Sequence, residues 1–478
     1  MKMIIGGKKV DSADKKTQEV LNPATHTVID TVPMATKEDV DQAVENAQNG
    51  FKLWSATPLH QRIETIYAYI QILKDNRKEL ITLGMQEIGK TRAMADSEFD
   101  ITIQLIKNFC ESARSLGGET LAINNQFYAE NDLAITVREP WGVVLCILPF
   151  NWPIELFSQK VIPALLMGNA VIIKPSSETP LSNIYMTELL LKCGVAPDAL
   201  QIVTGSGSKV GKWIISNGKI NMISLTGSTE VGIQTAKDGA DHLHRVSLEL
   251  GGNDALIVLD DADIDYAVSE SLSGRLPNAG QICCGSKRFF VQNSIKEEFT
   301  TKLLEELKKV KVGDPLDEDT TYGPIISERA AIDVEQQIQK TIAQGARLMF
   351  GGKRFDKTFI EPTLLVDVTP DMDIAKDMEI FGPVWPVIGF DTIEEAIEMA
   401  NSTKYGLSGG VITKDVKKAM TVARAMQSGC CVINGTGMYR AADQPFGGYK
   451  MSGLGREGGK FTLEEMSQLK TIVFKKLY

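Results

Sequence analysis

The stretch WGVVLCILPFNWP at residues 141–153 decides the fold, because an apolar, β-branched run stands directly before a proline-rich turn. Four similar runs follow, separated by helical stretches: AVIIKPS (170–176), LQIVTG (200–205), NMISLTG (221–227) and RVSLELGG (245–252). This alternation is typical of a parallel sheet with helices on both faces. Ligands of such sheets bind at the carboxyl ends of the strands, so we expect functional residues in the turns after these runs.

A second alternating set follows, and it contains a turn with two adjacent cysteines, NAGQICCGSKR (278–288). Helical stretches near 294–310, 325–344 and 414–427 accompany its apolar runs, which are DALIVLDDADIDYAV (254–268), TLLVDV (363–368), VWPVIGF (384–390), GGVIT (409–413) and CCVING (430–435). We therefore expect an α/β protein of two doubly wound, Rossmann-like domains that meet across a cleft, with the link near Gly251–Gly252. In the second domain we expect the strand ends to supply a thiol.

The remaining segments predict helices and a small β arm. Residues 1–35 carry short β-like runs, and amphipathic helices are predicted over 36–54, 59–90 and 96–116. Residues 119–139 alternate as a hairpin does, and the final segment SQLKTIVFKK (467–476) is strand-like with no obvious partner. A protruding hairpin and an unpaired terminal strand favour β-augmentation between subunits.

Composition excludes several classes of function. The chain has 478 residues, 43% hydrophobic and 23% charged, with a net charge of -10 and no basic block, which argues against nucleic acid or an anionic membrane as the main partner. No apolar run approaches the roughly 20 residues that span a bilayer. Seven scattered cysteines and the His242–His244 pair have no further ligands in register, so we expect a cytoplasmic protein without a metal site.

Two glycine-rich turns, TGSGSKVG (204–211) and LTGSTEVG (225–232), follow neighbouring predicted strands. One such turn is weak support, since ordinary strand-to-helix turns look the same. Two adjacent turns that aim backbone amides and a helix N-terminus at a pyrophosphate are stronger support for a dinucleotide site. Lys174 stands between an apolar run and Pro175, where it is placed to reach a ribose or phosphate rather than solvent.

Three side chains carry candidate chemistry. A cysteine of the 278–288 turn is a candidate nucleophile, but a free thiol is only a few per cent ionised near neutral pH, so its neighbours must activate it. Asn151, between two prolines in PFNWP, is either a turn residue bonded to its own backbone or an amide donor to an oxyanion. Glu249 is either a structural hydrogen-bonded group or a base.

Seven ordered motifs over essentially the whole chain resemble those of the NAD(P)-dependent aldehyde dehydrogenase superfamily. They are PFNWP (149–153), IIKPSSETP (172–180), LTGSTEVG (225–232), LELGG (248–252), NAGQIC (278–283), EIFGPV (379–384) and PFGGYKMSGLGRE (445–457). The resemblance implies oxidation of an aldehyde to an acid through a covalent thiohemiacetal and thioester. A catalytically silent protein on the same fold has no need to keep the thiol, the amide and the carboxylate together.

The resemblance assigns roles residue by residue. It makes Cys283, rather than Cys284, the nucleophile, gives Asn151 and the Cys283 amide the oxyanion hole, and makes Glu249 the base that activates water. It implies a cofactor site made of Phe150, Lys174, Ser177, Gly207, Gly227, Ser228, Glu379 and Phe381. Relatives that transfer the acyl group to coenzyme A often lack the glutamate, so Glu249 favours hydrolysis over that alternative.

The cofactor is expected to be NADP or NAD. Many NAD-preferring relatives carry a glutamate three residues after the lysine that corresponds to Lys174, where it binds the ribose hydroxyls and repels a 2′-phosphate. Here that position is Ser177, and a glutamate follows only at Glu178. A neutral hydroxyl removes the repulsion, so we expect NADP to be accepted, with preference for NADP over NAD as the stronger form of this expectation.

The substrate is expected to be a small-molecule aldehyde. The resemblance places a substrate tunnel along Trp152, Leu156, Gln159, Pro277, Ile282, Cys284 and Phe446. Succinic semialdehyde dehydrogenases often have an arginine where this chain has Pro277, although Arg275 and Arg440 are close enough in sequence to compensate. An aromatic or medium aliphatic aldehyde remains an equal alternative.

The resemblance also suggests the domain boundaries. Residues 1–118 and 141–250 are assigned to a dinucleotide-binding domain, 251–450 to the catalytic domain, and 119–140 with 458–478 to bridging and oligomerisation segments. The β arm leads us to expect a homodimer or homotetramer.

Overall fold

The computed structural model describes residues 1–476, so the last two residues of the predicted 458–478 segment lie outside the described part of the chain. Up to residue 250 the strands are β1 (Met3–Ile5), β2 (Lys8–Val10), β3 (Thr17–Leu21), β4 (Val28–Pro33), β5 (Thr120–Leu121), β6 (Leu133–Pro140), β7 (Val143–Ile147), β8 (Ala170–Lys174), β9 (Leu200–Ile202), β10 (Met222–Thr226) and β11 (Arg245–Glu249). The helices of this part are α1 (Lys37–Ala56), α2 (Leu59–Asp75), α3 (Arg77–Ile88), α4 (Arg92–Ser115), α5 (Pro153–Leu166), α6 (Leu181–Lys192), α7 (Lys212–Ile215) and α8 (Thr229–Ala240).

After residue 250 the strands are β12 (Asp254–Val258), β13 (Ser286–Gln292), β14 (Arg347–Phe350), β15 (Arg354–Phe355), β16 (Phe359–Ile360), β17 (Thr363–Val368), β18 (Val384–Phe390), β19 (Gly409–Ile412), β20 (Val432–Ile433), β21 (Gly453–Leu454) and β22 (Ser467–Phe474). The helices are α9 (Ile264–Ser273), α10 (Asn293–Leu307), α11 (Glu328–Ala343), α12 (Ile393–Asn401), α13 (Val416–Ala425) and α14 (Gly459–Glu465).

The first sheet has the strand order β2-β1-β9-β8-β7-β10-β11-β21. Its five central strands, β9 to β11 in that order, are parallel, and the predicted runs between residues 141 and 252 supply all of them. Among these five strands, β7 comes first in the sequence and lies in the middle of the sheet. Strands β8 and β9 are added on one side of β7, and β10 and β11 are added on the other side. The loops after β7 and β10 therefore diverge, which creates the crevice where open sheets of this type bind ligands.

The second sheet has the order β14-β17-β18-β13-β12-β19-β20, in which all strands except β14 are parallel. Buried apolar residues on both faces form its core, as expected for strands covered by helices on two sides. Sequence reasoning missed β13, because its first three residues, Ser286 to Arg288, are polar although they are buried.

The terminal strand is paired within its own chain. β22 runs antiparallel to β6 over eight residue pairs, from Ser467–Pro140 to Phe474–Leu133, and β5 completes a three-stranded arm. The predicted hairpin is present, but the expectation that the segment 467–476 lacks a partner was wrong. A partner more than 300 residues away in sequence gives no local signal.

The helical region departs from prediction at one point. α1 begins at Thr36 as expected, with a capping box in which Thr36 and Asp39 bond each other's backbone amides. The stretch 59–90 is not one helix but two, α2 and α3, broken at Asn76, whose side-chain amide donates to the Ile72 carbonyl at 2.7 Å. α3 ends at Gly89, which adopts the left-handed conformation with φ 81°.

Arg288 on β13 supports a stability prediction. Its buried guanidinium donates to four backbone carbonyls, those of Asn253, Ala375, Met399 and Ala400, at 2.7–3.1 Å. The Met399 carbonyl also accepts from Ser402, so Arg288→Met removes the side-chain donor from the other three carbonyls, at about 1–3 kcal/mol for each buried group. With an unfolding entropy of about 1 kcal/mol/K for a chain of this length, we expect the melting temperature, measured by circular dichroism, to fall by about 3–9 °C.

The matched control is Arg347→Met. Arg347 is 61% exposed and pairs with Asp367 at the surface, where an ion pair contributes about 0–1 kcal/mol. We expect a shift below about 1 °C for this variant. Equal shifts for the two variants would contradict the role assigned to the buried guanidinium.

Candidate active site

The cysteine pair lies between a short 3-10 turn, Pro277–Gly280, and strand β13. Cys283 lies three residues before the first residue of β13, so the thiol is at the amino end of a strand, whereas the prediction named only a strand end. Asn278 and Ala279 have φ values of 51° and 55°. Gly280 follows with φ 75°, and a Cβ there would come within 2.3 Å of the Gly382 carbonyl oxygen, so only glycine fits.

Arg275 stabilises this turn through hydrogen bonds. It is completely buried, and its guanidinium donates to the carbonyls of Gly280, Val384 and Ile380. All three bonds go to backbone carbonyls, so the guanidinium is occupied and does not reach a substrate. The hypothesis that Arg275 compensates for the missing arginine at position 277 is therefore wrong, whereas Arg440 does reach the cavity described below.

Asn151 lies in the loop after β7 and connects the two domains. Its side-chain nitrogen Nδ2 donates to the Gln281 carbonyl at 3.1 Å, and Asn278 Nδ2 donates in turn to the Asn151 carbonyl at 3.1 Å. Asn151 is not a turn residue bonded to its own backbone. An amide nitrogen carries two hydrogens, so the bond to Gln281 leaves one free for a ligand.

Glu249 ends strand β11 and is 3% exposed. Neither of its carboxylate oxygens has a hydrogen-bond partner among the described residues, which does not fit a structural or capping group. Burial, with repulsion from Glu457, raises the pKa of Glu249 well above its ordinary value. A carboxyl group in this state is a strong base once it loses its proton.

Glu249 lies next to a buried network of charged side chains formed by Lys160, Glu457 and Arg440. Lys160 Nζ is 2.6 Å from a Glu457 oxygen and donates to Ser224 Oγ at 3.3 Å. Arg440 approaches the other Glu457 oxygen at 3.5 Å. Sequence reasoning missed this network, although a lysine inside the apolar run of α5 and the glutamate that ends the 445–457 motif were visible signals.

A cavity of about 820 Å³ opens onto Cys283, Asn151 and the Arg440 side chain. Six of the seven predicted tunnel residues line it: Trp152, Leu156, Gln159, Pro277, Ile282 and Cys284. Phe446 does not line it but is buried beneath Arg440, whose guanidinium carbon is 4.1 Å from the ring centroid.

Trp152 on the cavity wall is held by an ion pair that sequence reasoning also missed. Lys90 Nζ lies 4.1 Å from the centroid of the Trp152 ring and 2.5 Å from Glu98, and both charged groups are completely buried. The other Glu98 oxygen accepts the backbone N–H groups of Ile154 and Glu155 at the start of α5. This carboxylate therefore links the tryptophan to a helix N-terminus.

Lys174 at the end of β8 is buried, and its Nζ donates to the Pro175 carbonyl at 2.8 Å. No carboxylate lies within ion-pair distance of it among residues 1–476. Burial lowers the pKa of Lys174 to about 8. Three residues on, Ser177 Oγ donates to the Gly205 carbonyl at 3.3 Å, which joins the ends of β8 and β9.

The two glycine-rich turns lie further along the same edge. Gly207 is exposed and is the first residue of a short π-helix over Gly207–Gly211. The Gly227 amide donates to the Glu249 carbonyl at 3.0 Å, and Ser228 caps helix α8 by accepting from Val231 N. Thr226 Oγ1 is buried there with no hydrogen-bond partner in the described chain. An accessible helix N-terminus beside an unpartnered hydroxyl fits a phosphate-bearing ligand.

Glu379 and Phe381 face this edge from the second domain. Glu379 Oε1 accepts the Gly252 amide at 3.1 Å and lies 3.5 Å from Lys287 Nζ. The rings of Phe381 and Phe150 meet edge to face with centroids 6.0 Å apart. The buried cation, the helix N-terminus and this carboxylate together fit an extended dinucleotide.

Among residues 1–476, no group of three or more histidine, cysteine or carboxylate side chains is placed to hold a metal ion. His242 and His244 instead approach the carbonyls of Ser216 and Ile215. No helix in this part of the chain is long and apolar enough to cross a membrane.

Comparison with known proteins agrees with this site. The family model described as aldehyde dehydrogenase matches residues 9–472. The lactaldehyde dehydrogenase of Methanococcus aeolicus is 37% identical, over 98% of this chain and 99% of its own length. The glutarate-semialdehyde dehydrogenase of Pseudomonas putida is 36% identical, over 98% of this chain and 96% of its own length.

A solved structure confirms the predicted fold class. Betaine aldehyde dehydrogenase from Staphylococcus aureus, crystallised in complex with NAD+, matches with a TM-score of 0.96 at 36% identity, over 99% of this chain and 95% of that chain. The chain therefore belongs to the aldehyde dehydrogenase family, and it is an NAD(P)-dependent enzyme that oxidises aldehydes on two Rossmann-like domains.

Proposed function

We propose that this enzyme converts its aldehyde to the carboxylic acid through a thioester on Cys283, which water hydrolyses. The Cys283 thiolate attacks the carbonyl carbon, a C–S bond forms, and the oxygen gains negative charge. Asn151 Nδ2 and the Cys283 amide donate to that oxygen. When bound, NAD(P)+ supplies the hydride acceptor for oxidation of the resulting thiohemiacetal.

Release of the acid depends on Glu249. Its carboxylate takes a proton from water as the water oxygen attacks the thioester carbon, the C–S bond breaks, and the thiolate leaves. The observation that carries this proposal is the buried carboxyl group without a hydrogen-bond partner, which is free to bind a water molecule. Coenzyme A in place of water is the alternative acceptor of the acyl group.

Glu249→Gln tests the hydrolytic step. We expect a burst of reduced cofactor close to one equivalent per site, followed by steady turnover reduced at least about a hundredfold, because the base acts only after hydride transfer. Stopped-flow absorbance measures both phases. In the wild type, hydrolysis should rise with pH through a pKa well above 4.5, since the base form appears only above the raised pKa of Glu249.

Cys283→Ala is the control, and it should lose the burst as well as the turnover. If Glu249→Gln turned over at the wild-type rate, the carboxylate would not be the base. If wild-type acid formation required coenzyme A, the acyl-transfer alternative would replace hydrolysis.

We also infer that NADP+ is accepted, with preference for NADP+ over NAD+ as the stronger form of the inference. A buried lysine without a carboxylate partner is suited to a 2′-phosphate, and Ser177 adds a hydroxyl at the same strand end where a glutamate would repel that group. Glu178 is exposed and lies one residue further on.

Ser177→Glu tests this inference through cofactor preference. We expect KM for NADP+ to rise at least about tenfold, corresponding to 1.4 kcal/mol, while KM for NAD+ changes little, because the new carboxylate repels only the 2′-phosphate. Steady-state kinetics with both cofactors measure the effect, and Ser115→Glu on the surface of α4 is the matched control. A strong NAD+ preference that Ser177→Glu does not increase contradicts the inference.

The charges around the cavity favour an aldehyde with an anionic tail, because its lining has four basic side chains against three acidic ones. The basic side chains are Lys74, Arg77, Lys107 and Arg440, and the acidic ones are Glu98, Asp100 and Glu155. Arg440 lines the cavity that contains Cys283. We therefore propose a semialdehyde with a terminal carboxylate, of the class named for the Pseudomonas putida relative, with neutral aliphatic or aromatic aldehydes as the alternative.

Arg440→Gln tests the preference for charge. We expect kcat/KM for glutarate and succinate semialdehydes to fall at least about tenfold and that for pentanal and butanal to change less than about threefold, because only the former lose an ion pair. Arg440→Lys, which keeps the charge, should recover part of the loss. Equal losses on charged and neutral aldehydes would mean that Arg440 acts only by supporting Glu457.

We further propose that residues 119–140 and 458–478 join subunits in a homodimer or homotetramer. The arm strand β22 exposes apolar side chains on both faces, with Leu469 59% and Val473 51% exposed on one face and Ile472 38% and Phe474 42% exposed on the other. Apolar surface of this kind on a projecting ribbon is typical of a protein interface.

A cytoplasmic location is inferred from the thiols. All seven cysteines are free in the structure, including the adjacent pairs Cys283–Cys284 and Cys430–Cys431. Unpaired cysteines in this number are typical of a reducing compartment.

A further inference from the structure

Lys287 is an ammonium group buried beneath the cysteine turn. It is the second residue of β13, and its side chain is 1% exposed. Its Nζ donates to the Cys283 carbonyl at 2.5 Å and to the Gly285 carbonyl at 3.3 Å. The same nitrogen lies 3.5 Å from Glu379 Oε1, the carboxylate proposed to hold the cofactor ribose.

Two of these three contacts are hydrogen bonds, and both go to backbone carbonyls of the turn. The third is an ion pair, in which the ammonium nitrogen faces a carboxylate of the proposed cofactor site at 3.5 Å. The geometry therefore places one positive charge between the backbone of the turn and Glu379. A change in the charge or position of Glu379 alters the electrostatic balance at the nitrogen that holds the Cys283 carbonyl.

Removing a lysine from water costs several kcal/mol unless its partners compensate. The carboxylates that face Lys287 are Glu379 and Asp254, and Asp254 is itself buried and bonded to Ser408. Arg275 also interacts with these two carboxylates. The lysine is therefore stabilised by groups of the turn and of the cofactor site.

We propose that Lys287 is a positioning residue that couples occupancy of the cofactor ribose site at Glu379 to the placement of the Cys283 thiol. The inference rests on the proposed roles of Cys283 and Glu379. A ribose hydroxyl that donates to Glu379 draws on the same carboxylate that Lys287 contacts, and the ammonium group transmits the change to the Cys283 carbonyl. Lys287 does not touch the substrate.

The positive charge of Lys287 also acts on the Cys283 thiol, because a nearby cation favours the thiolate form. A hydrogen bond to Cys284, together with burial, raises the pKa of the Cys283 thiol well above its ordinary value, and the positive charges of Lys287 and Arg440 oppose that rise. Loss of the Lys287 charge should raise the pKa of Cys283 further. The fraction of thiolate at neutral pH then falls.

The test measures thiol reactivity rather than turnover. Wild type and Lys287→Met are treated with iodoacetamide from pH 6 to pH 10, with and without NADP+, and tandem mass spectrometry follows alkylation of Cys283. We expect Lys287→Met to alkylate at least fivefold more slowly near neutral pH, with its pH profile displaced to higher pH. The change in rate that NADP+ causes in the wild type should disappear, while Kd for NADP+ changes less than threefold.

Two further variants keep the test decisive. Lys287→Arg retains the charge with a different donor geometry, so we expect a pH profile near that of the wild type but a weakened response to NADP+, and this variant stands in if Lys287→Met does not fold. Lys302→Met on α10, a surface lysine paired with Asp265, should match the wild type in every measurement.

The outcomes separate this inference from the proposed function. A wild-type pH profile and a wild-type response to NADP+ in both Lys287 variants overturn the role of Lys287. If alkylation of Cys283 leaves wild-type dehydrogenase activity intact, Cys283 is not the nucleophile and the proposed function itself fails.

Discussion

Two reciprocal hydrogen bonds between the domains determine the geometry of the whole active site. Asn151 donates from the first domain to the backbone at Gln281, and Asn278 donates from the second domain back to the Asn151 carbonyl. The proposed oxyanion donors come from different domains, one on each side of this contact. Such donors must stay within a few tenths of an ångström of their place to stabilise charge. Bonds to backbone atoms on both sides fix that place more firmly than side-chain packing alone.

The distribution of buried charge leaves Glu249 without a partner, as its proposed role as a base requires. Lys160 and Arg440 direct their charges to Glu457, so the adjacent Glu249 receives no hydrogen bond. A carboxyl group left unpartnered in a buried site costs stability, because desolvation of its charged form is not offset. Lys90 and Glu98 show the contrasting arrangement, in which the two buried charges pair with each other while the lysine contacts Trp152 and the carboxylate accepts from a helix N-terminus.

The sequence predicted those elements of the fold that depend on a local pattern of apolar residues. The runs around residues 141–249 were mainly apolar, and they became the central strands of the first sheet because a strand covered on both faces needs no alternation. β13 was missed for the converse reason, since its buried Lys287 and Arg288 find their acceptors in the preceding turn or on segments 35 to 112 residues away. The pairing of β22 with β6 is equally remote. A sequence shows which residues carry charge, but not which carbonyls meet them in the folded chain.

The same limit applies to the choice between the two thiols. Motif spacing favoured Cys283, and the contacts give a physical basis for the difference: its carbonyl is held by Lys287, whereas the Cys284 carbonyl accepts a long bond from Ser408. Cys284 also bonds the Cys283 thiol and so raises its pKa. A thiol is oxidised chiefly through its thiolate, so a neighbour that keeps Cys283 protonated at rest protects it. The reactive form then depends on the balance between that neighbour and the two cations, Lys287 and Arg440, one on the cofactor side of the turn and one on the substrate side.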